Sequence, residues 1–230
     1  MTLTLMQNNP TTFQTSDMQT WTCLDGVLVL EGCEGVLSID ASQGCVYVTN
    51  VWNDDSEVVL DYEHEAIPGH IGGCFWLSAL AMILWIQSNK ELFAGKHVLE
   101  LGAGIGLPSK YIREICVGTH VTESDCDVYG KKHIDWMELD PHDTDVYDIV
   151  IASDCCYRDT WRPLVDTIGK YLDPQNGMMV VFNADRNGID DMEYAFMEMF
   201  GDALSATDCV LTYNQSYQTN LRRWIGTRNA

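Results

Sequence analysis

The chain has 230 residues, 46% hydrophobic and 20% charged, with 13 Lys+Arg against 34 Asp+Glu and a formal net charge of −21. That length sustains one sizeable core, so one domain with an extension is expected. The charge repels phosphate backbones, and the basic pairs Lys131-Lys132 and Arg222-Arg223 are too short to reverse it, so nucleic-acid binding is disfavoured. A basic partner such as a lysine-rich protein surface suits this field, although charge kept for solubility alone is the competing reading.

Met1 to Thr20 has neither a basic segment nor a sustained apolar one; the reading is a flexible N-terminus over residues 1–20 and no signal peptide. Between Trp21 and Tyr62, short β-type runs (Leu28–Leu30, Val36–Ile39, Cys45–Val48, Val58–Leu60) are separated by Gly32, Gly35, Gly44 and Asn53-Asp54-Asp55. The spacing predicts an antiparallel meander over 21–68, either a lid-like extension or an edge added to the main sheet. Ile71 to Ile86 is the longest apolar segment; it is short for a membrane span and holds Gly72, Gly73 and Ser78, so a buried helix over Phe75–Ser88 is expected.

From residue 69 to 230 the pattern alternates. Strands are expected at Val98–Leu101, His120–Thr122, Asp148–Ala152, Met178–Phe182, Cys209–Tyr213 and Trp224–Ile225. Helices are expected at Leu107–Ile115, Trp161–Leu172 and Asp190–Phe200. Such alternation implies an α/β fold, a Rossmann-like and mostly parallel sheet with helices on both faces. The nine cysteines show no Cys-x-x-Cys spacing and several sit in apolar runs, so neither disulfides nor a metal centre is expected; reduced thiols point to the cytoplasm, with the nucleus as an alternative.

The chemistry centres on Val98–Ser109, where an apolar run turns through Gly102, Gly104 and Gly106 into a helix. Glycine there lets a ligand approach the main chain. Glu100, two residues before the first glycine, would repel a pyrophosphate but suits a ligand carrying an amino group and a sulfonium. Asp125 stands about twenty residues past the glycines, where a carboxylate takes ribose hydroxyls. Ser153-Asp154-Cys155-Cys156-Tyr157 places a carboxylate and a phenol at the carboxyl edge of the sheet. Together these describe S-adenosyl-L-methionine better than a nucleotide. Glu100, and the lack of a Ser/Tyr/Lys or His proton relay, argue against a dinucleotide-linked oxidoreductase.

These residues resemble the seven-β-strand methyltransferases, and among them the small protein-lysine methyltransferases of family 16. The resemblance covers Gly72 to Arg186 and rests on Trp76, Val98–Pro108, Thr122–Asp125, Ile134-Asp135-Trp136 and Asp154-x-x-Tyr157. It implies a seven-stranded Rossmann-like sheet and S-adenosyl-L-methionine as cofactor. By the same resemblance Gly102, Ala103 and Gly104 hold its methionine part, with Trp76 nearby, and Asp125 takes the ribose. Asp135 and Trp136 flank the adenine, Ser153 touches the cofactor through its backbone, and Asp154 and Tyr157 line the entrance for the methyl acceptor. The implied reaction is in-line methyl transfer to a protein lysine. Histidine, arginine or a small molecule as acceptor, and a non-catalytic cofactor-binding interaction protein, are the alternatives. Tyr157 is otherwise a half-buried aromatic. Between Asp125 and Ile134 only Cys126 to His133 intervene, so the helix usual there is expected to be a single turn or absent. Arg186 matches a loosely shared arginine of the family.

Overall fold

The structure is a computed structural model and describes residues 26–33, 35–40, 45–50, 53–61, 76–126, 130–156, 160–184, 188–215 and 217–228. The expectations for residues 1–20, Tyr157 and Arg186 lie outside the described residues. The first four strands, β1 (Gly26–Leu30), β2 (Gly35–Asp40), β3 (Cys45–Asn50) and β4 (Asn53–Asp61), form the expected meander. Helix α1 (Leu77–Ser88) follows, with Trp76 just outside it. Then come β5 (His97–Leu101), α2 (Leu107–Ile115), β6 (His120–Asp125), β7 (Lys132–His133) and β8 (Ile149–Ser153). The chain ends with α3 (Trp161–Tyr171), β9 (Met178–Ala184), α4 (Ile189–Phe200), β10 (Leu204–Tyr213) and β11 (Tyr217–Thr227).

All of these strands join one 11-stranded sheet in the order β4-β3-β2-β1-β10-β11-β9-β8-β5-β6-β7. The centre is parallel from β7 through β6, β5 and β8 to β9, with β5 at the point where the order reverses. Ligands of such sheets bind beyond the carboxyl ends of the strands at that reversal. Strand β11 runs antiparallel beside β9, and β10 beside β11. The meander is an edge of the main sheet: β1 pairs with β10 antiparallel, Leu28 opposite Tyr213 and Leu30 opposite Leu211.

Alternation along the strands builds two cores. Val98 of β5, Ile149 and Ile151 of β8 and Val180 and Phe182 of β9 face α1 and α2; Leu99, Leu101, Val150, Ala152, Met179 and Val181 face α3 and α4. Residues Leu80 to Ile86 of α1 are all buried. The reason is that the meander lies over this helix too, Leu28, Leu37, Val46 and Leu60 packing in its cluster, and that β4 reaches α2. A helix enclosed on every side needs no polar stripe, which explains its unbroken apolar sequence. Each such side chain taken from water contributes about 1.5–3 kcal/mol. Among the described residues no helix is long and apolar enough to cross a membrane.

Three strands differ from expectation. Strands β10 and β11 are longer than their apolar residues, because polar residues such as Asp208 and Arg222 alternate outward along them. Strand β7 is only two residues long and carries no apolar signal.

Candidate active site

The turn after β5 is built from three left-handed glycines, Gly102 at φ 60°, Gly104 at 52° and Gly106 at 70°. Space demands two of them as well. A Cβ on Gly102 would stand 2.8 Å from Cys155 Sγ and 3.2 Å from the Trp136 ring, and one on Gly106 would fall on the Glu123 carboxylate. The turn is tied to the end of β6: Ala103 N–H donates to Ser124 O at 2.9 Å, and Gly104 N–H to Asp125 Oδ2 at 3.0 Å. Asp125, half-buried, is thus joined directly to the turn. The amides of Ala103 and Gly104 are spent inside the protein.

Glu100 is likewise held inside the protein. It is 1% exposed, and its Oε2 accepts from Ser109 N–H at 3.1 Å and from the Ser109 hydroxyl. Ser109 is the third residue of α2, whose start carries no side-chain cap, so the strand supplies the cap the helix lacks. This carboxylate fixes the start of α2. Burial pushes it up to about 7, with the Ser109 hydrogen bond pulling down and the charge of Glu123 adding to the rise. Glu123 lies opposite Glu100 on β6 and is clasped by Arg113 and Lys131. Against the burial that raises it, these two cations hold its carboxyl below the usual range.

Across the crevice, β8 ends at Ser153 and the chain turns through Asp154. Asp154 has φ 57° and is 7% exposed. An aspartate held left-handed is uncommon, and such strain clusters at functional sites. It is fixed from β9, with its N–H donating to Phe182 O at 2.9 Å and its Oδ1 accepting from Ala184 N–H at 3.2 Å. Next to it, Cys155 Sγ–H donates to Leu101 O at 3.3 Å, tying this turn to the root of the glycine turn. Burial first, then the charges of Asp125 and Asp154, pushes the Cys155 thiol well up, so it packs and does not react.

Trp136 is half-buried, with its ring against Gly102, and packs on the core shared by α3 and α4. Asp135 shapes the turn before it, its Oδ1 accepting from Met137 N–H at 2.8 Å. Trp76 is half-buried at the start of α1, where its carbonyl accepts from Ala79 and Leu80. The structure therefore brings Gly102, Asp125, Trp136, Cys155 and Asp154 to one crevice.

Sequence reasoning missed Asn183. It is fully buried at the end of β9 and clasps Cys156, its Oδ1 accepting from Cys156 N–H at 2.9 Å and its Nδ2 donating to Cys156 O at 3.1 Å. An amide ending an apolar strand was the available signal. Among the described residues no group of three or more His, Cys, Asp or Glu is arranged to hold a metal.

Residues 115–203, from the end of α2 to the end of α4, match the model of the lysine methyltransferase family. A calmodulin-lysine N-methyltransferase of Arabidopsis thaliana is 27% identical over 149 residues, 55% of this chain and 49% of that protein. Over residues 115–203, fewer than half of its length, the chain is similar to the lysine methyltransferase family. The chain spans about half the length of the curated relative it matches. Among solved structures, magnesium protoporphyrin IX methyltransferase of Synechocystis with bound cofactor is similar at TM-score 0.45 and 15% identity, over 66% of this chain and 79% of that one. A precorrin-6y methyltransferase of Geobacter metallireducens is similar at TM-score 0.46 and 10% identity, over 66% and 86%.

The residues fit S-adenosyl-L-methionine, the cofactor that the resemblance implies. A turn of bare backbone, an acid bonded to that turn and a tryptophan ring against the first glycine offer, in order, a main-chain seat, a ribose partner and a face for adenine.

Proposed function

We propose that this chain is an S-adenosylmethionine-dependent protein-lysine N-methyltransferase acting in the cytoplasm. The observation that carries the reading is Asp154, an aspartate fixed left-handed at the carboxyl edge of β8 and linked through Cys155 to the glycine turn. The Arabidopsis relative is a calmodulin-lysine N-methyltransferase by name, which supports lysine as acceptor. The described cysteines stand as thiols, as a reducing compartment keeps them.

When bound, the cofactor supplies an electrophilic methyl group on sulfur. The chain's part is placement. Asp125 and Trp136 hold the adenosine end, and the turn from Gly102 fixes the methionine end. Asp154 draws the acceptor's ammonium into the crevice and aligns it, and alignment supplies most of the acceleration. A carboxylate stabilises the ammonium it meets, so Asp154 orients the acceptor and does not deprotonate it; the proton goes to solvent before attack. Tyr157, by resemblance, completes the entrance. The negative field of the whole chain favours a basic partner surface.

Calorimetric titration with S-adenosylmethionine tests the foundation, and absence of binding overturns it. Transfer of labelled methyl groups into lysate proteins, followed by hydrolysis and identification of methyl-lysine, tests the reaction. Equal labelling by the Asp154→Ala variant would refute the role given to Asp154. Binding without labelling would favour the interaction-protein reading, which the short segment after Asp125 motivates: among the described residues between β6 and β7 there is no helix.

A further inference from the structure

With no helix after β6 among the described residues, the adenine side of the crevice needs another wall. The chain from Ile134 to Val146 forms neither helix nor strand, yet it carries Asp135 and Trp136. Irregular segments of this length inside a compact domain are usually functional or loose. This one is fastened. Its near end is held by Ile134 N–H, which donates to Asp125 O at 3.3 Å. Its far end closes on Lys132, whose Nζ lies 2.7 Å from Asp143 and 2.6 Å from Asp145.

Lys132 is more than a surface ion pair. Its ammonium stands 5.7 Å from the centre of the Tyr147 ring and 5.2 Å from that of Tyr171, and the Tyr171 hydroxyl donates to Asp143 at 2.9 Å. Tyr147 and Tyr171 are buried and meet edge to face. Lys132 therefore crosses from edge strand β7 to the end of α3 and closes the segment into a loop. Lys170, the neighbour of Tyr171, adds a hydrogen bond to Asp140 O. Opposite-charge pairs flanked by aromatic faces and partly withdrawn from water are worth more than exposed ones.

We propose that Lys132, by closing the loop 134–146 on Asp143 and Asp145, is a positioning residue that sets cofactor affinity by holding Trp136 against Gly102. The inference rests on the cofactor reading above. Removing the ammonium leaves two neighbouring carboxylates to repel each other, and the loop opens with Trp136 on it.

The experiment compares the parent chain with Lys132→Met, Lys132→Arg, Trp136→Ala and the Lys132→Met/Trp136→Ala double variant, by calorimetry with S-adenosylmethionine and with 5′-methylthioadenosine. The second probe carries the adenosine without the amino acid. Lys132→Met is expected to weaken both probes alike, by about tenfold, within the range of coupled neighbours. Lys132→Arg should restore most of that loss, since a guanidinium pairs with both carboxylates and stacks on tyrosine. On the Trp136→Ala background Lys132→Met should cost little more. Losses that add in the double variant, or a loss confined to S-adenosylmethionine, overturn the proposal even if Lys132→Met lowers stability. A parent chain that binds neither probe overturns the cofactor reading instead, and the two failures are distinct.

Discussion

The Asn183 carboxamide holds both polar groups of the Cys156 main chain at once, at 2.9 Å and 3.1 Å, and spends a further N–H on Ala184 O at 2.9 Å. A residue of β9 thereby fixes the turn after β8 that carries Asp154. Replacing Asn183 with Leu leaves a buried N–H and two carbonyls without that partner, each costing about 1–3 kcal/mol. We expect Asn183→Leu to lower the urea midpoint and, where the protein stays folded, to reduce methyl transfer more than cofactor binding. Unchanged stability would show that water replaces the amide.

The mechanism has a pH signature. The acceptor amine must be neutral, and an unperturbed lysine titrates near pH ~10.4, so the neutral fraction rises about tenfold per pH unit below that value. Because Asp154 orients the acceptor without taking its proton, the methyl-transfer rate should climb with pH from 7 to 9 in the parent. It should climb with the same slope, at a lower level, in Asp154→Asn. A rate that stays flat in the parent and climbs with pH only in the variant would make Asp154 a general base.

Glu100 makes a prediction about stability. Its carboxyl sits at about 7 in the folded chain against an ordinary 4.5, chiefly through burial. For a carboxyl raised by folding, the folded state binds the proton more tightly, so stability is greatest below about pH 4.5 and falls as pH rises towards 7. The loss across that window is roughly 3 kcal/mol. Glu100→Gln keeps an oxygen for Ser109 and removes the titration. Denaturant unfolding at pH 5 and pH 8 should show the variant gaining on the parent as pH rises. A constant difference between the two proteins would mean that Glu100 does not titrate in this range.

Much of the fold was legible because its signals are local. Gly35–Asp40 alternates buried and half-buried residues along its length, and period-two patterning carries that without knowledge of partners. Helix α2 runs from Leu107 to Ile115 as expected, since Gly106 and Pro108 mark its start. The glycine turn was legible because backbone dictates sequence there, as at Gly102. The site was not legible where function depends on a return in space. The stretch from Glu100 to Ser109 crosses a strand, a turn and the start of a helix before the two meet, and no spacing rule in the sequence encodes that bond. The Lys132 contacts with Tyr147 and Tyr171 likewise join elements that only the sheet brings together.

Gly102 offers the sharpest test of the crevice itself. An alanine there meets two separate obstacles. The backbone at φ 60° costs an L side chain about 1–2 kcal/mol, and the new methyl lands 2.8 Å from Cys155 Sγ. The second obstacle is removable. Cys155→Ala deletes the sulfur and leaves the Trp136 ring at 3.2 Å as the nearest remaining neighbour. Gly102→Ala alone should therefore weaken cofactor binding and lower the unfolding midpoint, while Gly102→Ala/Cys155→Ala should be more stable than the sum of the single losses predicts. Contacting residues couple by about 0.5–3 kcal/mol, whereas independent sites add to within about 0.5 kcal/mol. Additive losses would mean that the glycine turn and the Asp154 turn do not touch, and the crevice drawn between them would have to be redrawn.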